Sequence, residues 1–272
     1  MLALPWEQWI GSRDRFPVKG WSINSKLSSV PACQSIVKKA LVERMKRKYR
    51  VPWFEETGAL FQIQFSILKD QVSVMIDTSG EGLHKRGYRP KANDAPIKET
   101  LAAAIAWLAH VYPDSRVVDP CCGSGTLLIE SALHAMKIAP GLRRNFAAEK
   151  WTQIPAETWR RERMDAAGMI VKENTFTALG CDIDETSLML TAKNAAAAGV
   201  GARIETVCRD LAEFSPEGER GIVLCNPPYG ERMLDVQEAE RLYRVMGQRF
   251  VPQKGWSYYI CLLYTSAPLS GR

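Results

Sequence analysis

No apolar run in the 272-residue sequence approaches the roughly 20 residues that a membrane-spanning helix needs, so no span is expected. The opening stretch, MLALPWEQWIGSRDRF, lacks a basic region followed by a long apolar segment, which argues against a signal peptide. The 7 cysteines are odd in number and contain no Cys-x-x-Cys pair, and Cys181, Cys208, Cys225 and Cys261 fall in apolar segments. Reduced, buried thiols are therefore expected rather than a disulfide framework, and with no leader the expected compartment is the cytoplasm. No internal repeat is evident. What is present is ordinary globular material, 46% hydrophobic and 24% charged, with enough chain for one large domain or two smaller ones.

The charge is unevenly spread. Residues 1–95 carry 16 Lys and Arg against 9 Asp and Glu, while the remainder carries 20 against 21. A basic first third on a near-neutral body suggests a separate module that meets phosphates. Within it, SSVPACQSIVKKALVERMKRKYR (28–50) predicts a helix, opened by serine and Pro31, with Ile36, Val37, Ala40, Leu41 and Met45 as its buried stripe. LFQIQFSIL (60–68) and QVSVMID (71–77) alternate like strands around Lys69-Asp70, which predicts an antiparallel hairpin. The Gly-, Pro- and Arg-rich stretch 78–96 reads as a connection. The expected division is a small α+β module over 1–85, a linker over 86–95 and a second domain over 96–272.

Beyond residue 96 strands and helices alternate. Strands are expected over 115–119, 176–182, 203–208, 221–225 and 256–263, and helices over 97–110, 125–137, 186–198 and 237–250. That alternation predicts a parallel, doubly wound α/β sheet. A longer, charge-rich insertion with Arg143, Arg144, Trp151 and Trp159 occupies 138–175.

The first of these strands runs into VVDPCCGSGTLLIESALHA (117–135), where Gly123 and Gly125 sit in the strand-to-helix turn and let a ligand approach the backbone. No Gly-Lys-Ser/Thr follows, which disfavours a nucleotide-triphosphate loop, and Leu128 stands where a dinucleotide fingerprint needs its third glycine. The second strand ends in GCDIDETSL (180–188), placing Asp182 to accept ribose hydroxyls, with Asp184 able to cap the helix that starts near Thr186. The third ends in CRDLAEF (208–214), where Asp210 is placed for an exocyclic amine of adenine or for another cap. The fourth ends in GIVLCNPPYGERM (221–233). Ligands of such sheets bind beyond the carboxyl ends of the strands, so four consecutive strands ending in Asp119, Asp182, Asp210 and Asn226 point to one nucleoside-cofactor site.

Asn226-Pro227-Pro228-Tyr229 suits a weak nucleophile. The lone pair of an exocyclic base amine is delocalised into its ring. Acceptors on both N–H groups, here the Asn226 side-chain oxygen and the Pro227 carbonyl, orient that lone pair, and consecutive prolines hold the acceptors still. Tyr229 offers a flat face for an extruded base.

These motifs, in this order, resemble class I S-adenosylmethionine-dependent methyltransferases that act on exocyclic amines. SKLSSVPACQSIVKKAL and GEGLHKRGYRPKANDAPIKETLAAAI extend the resemblance to the bacterial THUMP-domain RNA methyltransferases that make N2-methylguanosine. The resemblance covers about residues 5–260. It implies a Rossmann-like methyltransferase domain behind a partial ferredoxin-like and THUMP module, S-adenosylmethionine as cofactor, and ribosomal or transfer RNA as partner, with neither metal nor membrane. It implies cofactor contacts from Asp119, Cys121, Gly123, Gly125, Thr126, Asp182, Ile183, Asp210, Leu211 and Asn226. Asn226, Pro227, Pro228 and Tyr229 would hold the target base, and Lys26, Lys38, Lys39, Lys85, Arg86 and Arg89 would contact RNA. Relatives carry a further segment before the THUMP helix and a helix and β-hairpin after WSYYICLLY, so truncation at both ends and an open sheet edge are expected. N6-adenine or protein-glutamine methylation, and a non-catalytic RNA-binding role, are the alternatives. Carbon-5 methylation through Cys225 is disfavoured because that thiol precedes the motif inside the strand.

Overall fold

The computed structural model describes residues 1–89, 97–228 and 236–262. Two compact units emerge, Met1–Leu83 with Asn145–Glu162, and the described residues of His84–Arg144 with those of Arg163–Arg272. No described helix is long and apolar enough to cross a membrane.

In the first unit β1 (Val18–Ile23) runs parallel to β2 (Gln62–Leu68), which pairs antiparallel with β3 (Gln71–Asp77). The hairpin turns on Lys69 and Asp70, both at positive φ of 50° and 63°, the backbone a two-residue turn between twisted strands requires. Phe61, Ile63, Phe65 and Ile67 are buried, as their alternation predicts. Helix α1 (Val30–Tyr49) packs Leu41 and Met45 against Phe61 and Ile63, and Cys33 against Phe65 and Ile67. Ile36 does not join the stripe. It is 68% exposed, because the buried row follows the four-residue spacing of Cys33, Leu41 and Met45. Strand β1 escapes sequence reading: its Gly20 lies against Phe65, so the strand interrupts its own apolar pattern to admit a neighbouring ring. Segment 145–162 completes this unit. Trp151 stacks on Phe61 with centroids 4.4 Å apart, and its indole donates to the Leu60 carbonyl at 2.9 Å.

The second unit is a five-stranded sheet ordered β6-β5-β4-β7-β8, every pair parallel. Its elements are α2 (Glu99–Leu108), β4 (Arg116–Asp119), α3 (Thr126–Ala135), α4 (Ala156–Gly168, which begins in the first unit's segment), β5 (Thr177–Asp182), α5 (Glu185–Ala198), β6 (Ile204–Cys208), β7 (Gly221–Cys225), α6 (Val236–Arg249) and β8 (Trp256–Ile260). Neighbouring residues of β4 feed opposite cores. Val117 packs with Leu128, Ile129 and Phe176, and Val118 with Val223, Leu211, Met246 and Trp256. A strand covered on both faces reads as a continuous apolar run rather than an alternation. Residues 84–89 are not a loose tether, since Tyr88 is 2% exposed within the larger core. Cys181 and Cys225 are buried as expected. Cys208, at the carboxyl end of edge strand β6, is exposed, and Cys261 is half-buried.

Candidate functional site

The carboxyl ends of β4, β5 and β7 lie side by side, with β4 central. Asp119 shares a rung with Gly180, and Val118 with Val223. Asp182 and Asn226 therefore both stand two residues beyond the rung of Asp119, about 6–7 Å farther along the strands. Asp210 follows β6 on the far side of β5.

The glycine turn connects β4 to α3. Gly123 and Gly125 adopt left-handed φ of 52° and 77°, and Gly125 is the residue before the first helical position of α3. A Cβ on Gly125 would sit 2.6 Å from Thr191 Cγ2, so sterics as well as φ reserve the position for glycine. Helix α5 holds the turn from behind. Thr191 Oγ1 donates to the Gly123 carbonyl at 2.7 Å and Asn194 Nδ2 to the Ser124 carbonyl at 3.0 Å, both from buried side chains. The turn is also tied to β5 through the Cys122 amide, which donates to the Cys181 carbonyl at 2.9 Å.

Half-buried Asp182 closes this arrangement. Its Oδ2 accepts from the Gly123 amide at 2.9 Å and its Oδ1 from the Asp184 amide at 3.0 Å, leaving each oxygen with further acceptor capacity. Asp184 caps α5, accepting from the Thr186 and Ser187 amides at 3.0 and 3.1 Å. The Ser187 hydroxyl, which donates to Asp184 Oδ2 at 2.8 Å, and then those amides hold its carboxyl below the usual carboxylate range. Asp210 is exposed and accepts from the Ala212 amide at 2.8 Å, so it is a cap with one carboxylate oxygen to spare. Ile183 is 72% exposed beside Asp182, whereas Leu211 is buried. Cys121 is half-buried and packs toward Val118 and Cys225.

Asp119 is 1% exposed and accepts from the Cys121 amide at 3.1 Å. Burial pushes its pKa up to about 8, against the pull of the Cys121 hydrogen bond and with a push from Asp182. Between its ordinary value of 3.8 and about 8 the folded protein holds a proton that the unfolded chain has released. Stability therefore declines as pH rises through that window, by at most about 1.4 kcal/mol per pH unit per proton. Asp119→Asn is expected to flatten that decline in melting temperatures recorded from pH 4 to 8. An unchanged slope would mean that Asp119 is ionised throughout.

At the tip of β7, Asn226 Oδ1 is buried and has no hydrogen-bond partner among the described residues. A buried acceptor left unmet costs about 1–3 kcal/mol, so one that the described residues do not satisfy is open to a donor from a ligand. Pro227 is buried and Pro228 half-buried. Tyr229, the expected stacking face, lies outside the described residues. Among the described residues no group of three or more His, Cys, Asp or Glu is placed to hold a metal ion.

The expected RNA-contacting cations divide. Lys26, Lys39 and Lys85 are exposed. Lys38 is committed elsewhere: its ammonium pairs with Glu56 at 2.5 Å, donates to the Phe16 carbonyl and lies 3.7 Å from the centre of the Phe16 ring. Arg86 pairs with buried Glu130, and Arg89 pairs with Glu99 at 3.0 Å, with side-chain exposures of 10% and 8%. Lys38, Arg86 and Arg89 thus each hold a carboxylate of the chain itself. The missed feature is the buried partners of the two arginines, Glu130 and Glu99, which a sequence shows only as acidic residues on predicted helices.

The chain matches two family descriptions, THUMP domain over residues 1–77 and RMKL-like methyltransferase domain over 86–266. It is 43% identical over 260 residues to YpsC of Bacillus subtilis (strain 168), named as an RNA methyltransferase, covering 95% of this chain and 68% of that protein. It is 33% identical to the ribosomal RNA large subunit methyltransferase K/L of Psychromonas ingrahamii, covering 93% of this chain but 35% of that longer protein. Among solved structures, a predicted N6-adenine-specific DNA methylase from Listeria monocytogenes superposes with a TM-score of 0.89 at 45% identity, covering 97% of this chain and 70% of that one. SMU.472, a methyltransferase complexed with SAH, superposes at 0.85 and 40% identity, covering 95% and 69%. The glycine turn and the acceptors on β5, β6 and β7 fit a nucleoside with an amino-acid tail, and the chain belongs to the RMKL-like family of S-adenosylmethionine-dependent methyltransferases, joined to an N-terminal THUMP domain.

Proposed function

We propose that the protein transfers a methyl group from S-adenosylmethionine to the exocyclic N2 amine of a guanosine in RNA, with large-subunit ribosomal RNA the first candidate substrate and transfer RNA the second. The observation that carries this is the buried Oδ1 of Asn226, without a partner among the described residues, at the carboxyl end of β7. An amine N–H is the group such an acceptor lacks.

S-adenosylmethionine, when bound, supplies an electrophilic methyl group on a sulfonium. The chain's own residues do the positioning. Asp182 offers its remaining lone pairs to ribose hydroxyls, Asp210 offers its spare oxygen to the adenine amine, and Gly123 and Gly125 keep the turn open to the amino-acid end. Asp119, Cys121, Thr126, Ile183 and Leu211 line or brace the same pocket. Asn226 Oδ1 and the Pro227 carbonyl accept the two N–H groups of the target amine, so that its lone pair faces the methyl. Pro228 keeps those acceptors fixed, and Tyr229 stacks the extruded base. Transfer would break the methyl–sulfonium bond, giving a neutral thioether and a positively charged amine, and acceptors already bonded to the amine protons would stabilise that charge before one proton passes to water. Lys26, Lys39 and Lys85, exposed at the surface, contribute to RNA attachment, a role in keeping with the similarity to a ribosomal RNA methyltransferase. The site of action is the cytoplasm, where such RNA resides.

Calorimetric titration of S-adenosylmethionine into wild type and Asp182→Ala tests the cofactor half. Asp182→Ala removes both the proposed ribose acceptor and the brace on the Gly123 and Asp184 amides, so affinity is expected to fall roughly 100-fold or more. Equal affinity in the two proteins refutes the assignment of Asp182.

A further inference from the structure

The cations of α1 fall into two groups. On the flanks of the helix Lys38 is paired with Glu56 and Arg44 with Glu7, so their charge is met within the chain. Lys39, Lys46, Arg47 and Arg50 have no carboxylate partner among the described residues. Lys39, Arg47 and Arg50 are exposed and Lys46 is half-buried. Lys46 follows Lys39 by two helical turns and Arg50, which ends the helix, follows Lys46 by one more, so the three form a row with Arg47 beside it. The row faces away from the sheet, because Cys33, Leu41 and Met45 hold the opposite side of the helix. Glu43 stands in the same row and pairs with none of the four among the described residues.

From Lys39 to Arg50 the row extends about 16 Å along the helix, which suits a polyanion rather than a lone anion. The negative carbonyl end of the helix accounts for Lys46 and Arg47 in the last turn, but not for Lys39 near its middle. A second observation lies just past the helix. Trp53 is 78% exposed, more than any other large apolar side chain among the described residues. Its neighbour Phe54 is buried, with its ring edge-on to Phe16 at 5.4 Å, so a packed segment holds the indole outside. Trp53 is three positions from Arg50, so the two Cα atoms lie within about 11 Å of each other whatever the path. Unpaired cations beside an open indole are the combination that single-stranded nucleic acid meets, phosphates on the cations and a base on the ring. A plain duplex offers the phosphates but no open base.

We propose that the outward face of α1, through Lys39, Lys46, Arg47 and Arg50, docks an RNA strand next to an unpaired nucleotide whose base stacks on Trp53. This rests on RNA being the substrate, as proposed above. It adds which face of the first unit meets the strand and what the RNA leaves unpaired there.

Fluorescence anisotropy tests it with two labelled RNAs, a blunt duplex and the same duplex with a single-stranded extension, titrated over a series of salt concentrations. The proteins are wild type, Lys46→Gln/Arg47→Gln/Arg50→Gln, Trp53→Ala and a control with as many exposed cations removed elsewhere, Lys19→Gln/Lys172→Gln/Lys193→Gln, each with a melting temperature. The α1 variant is expected to bind both RNAs roughly 100-fold more weakly at about 0.1 M salt, and its slope of log affinity against log salt to flatten by about 2. The control is expected to stay within about threefold of wild type. Trp53→Ala is expected to weaken binding of the extended RNA about tenfold, with duplex binding and the salt slope unchanged, since only stacking is lost. It keeps every cation, so it remains readable should the α1 variant unfold. An α1 variant no weaker than the control overturns the inference. So does Trp53→Ala that binds the extended RNA as wild type does, or that weakens both RNAs alike. Wild type that sediments as a dimer where Trp53→Ala is a monomer gives the indole to a second copy of the chain and overturns it equally. Wild type that binds neither RNA defeats the RNA reading itself, a result distinct from any variant effect.

Discussion

Asn226→Ala is expected to lower the rate of methyl transfer roughly 100- to 1,000-fold while leaving RNA binding unchanged and the melting temperature unchanged or higher. The rate term follows from losing one preorganised contact to charge that develops on the amine, which costs about that much in other positioned sites. The stability term follows from the structure. Asn226 Oδ1 gives up no bond to the described protein when removed, and an unmet buried acceptor is a cost to the fold. Tritiated-methyl incorporation into RNA, a filter-binding assay and a thermal melt on one preparation separate the cases. If Asn226 merely closes a turn, stability falls and transfer falls only in proportion. If the protein is a non-catalytic RNA binder, wild type transfers no methyl group and the substitution changes nothing. Opposite signs for activity and stability would mark a residue kept for its chemistry.

The second large effect concerns Glu130. This carboxylate on α3 is 1% exposed, with Oε1 accepting from the Tyr88 hydroxyl at 2.7 Å and Oε2 from the Arg86 guanidinium. Burial pushes its pKa up to about 7, against the opposing pull of Arg86 and of the Tyr88 hydrogen bond. The same burial, with the Glu130 charge beside it, pushes the Tyr88 phenol far up, so tyrosine is the donor at every accessible pH. Glu130→Ala strands a guanidinium and a phenol in the interior, and removing one member of a buried pair costs about 3–5 kcal/mol. For a unit of this size the expected drop in melting temperature is roughly 10 °C. A combined Glu130→Leu, Arg86→Met, Tyr88→Phe variant is expected to recover most of the loss, because an apolar replacement of the whole cluster leaves nothing unpaired. A loss as large in the triple variant as in Glu130→Ala would show that packing at α3, rather than the polar cluster, carries the stability.

Much of the second unit was legible because parallel strands buried on both faces leave uninterrupted apolar runs, and each run ends in a residue of distinct chemistry. Strands β4 to β8 and helices α2, α3, α5 and α6 fall within a few residues of their expected limits. Asp184 caps α5, as the sequence suggested it could. What the sequence withheld is contact made at a distance. Arg86 and Arg89 look in the chain like part of a basic surface run, and only folding reveals the carboxylates of Glu130 and Glu99 that receive them. Ile36 follows the helical period as well as Val37 does, yet only one of two adjacent apolar residues can face the sheet. The 145–162 stretch gave no sign of its destination, because its anchoring indole bonds a carbonyl that any sequence would supply.

That stretch has a consequence for the order in which the protein becomes native during synthesis. Phe61 and the Leu60 carbonyl wait for Trp151, a partner 91 positions downstream of Leu60. When the first three strands and α1 have been translated, the ring of Phe61 still faces outward, and the glycine turn and β4 are made before it is covered. Non-local closures of this kind are late and slow compared with hairpins and helices. The first unit is therefore translated in two pieces with β4 and α3 of the second made between them, and a ribosome pausing between the codons of Ala135 and Trp151 would hold exposed an apolar patch that the finished chain hides.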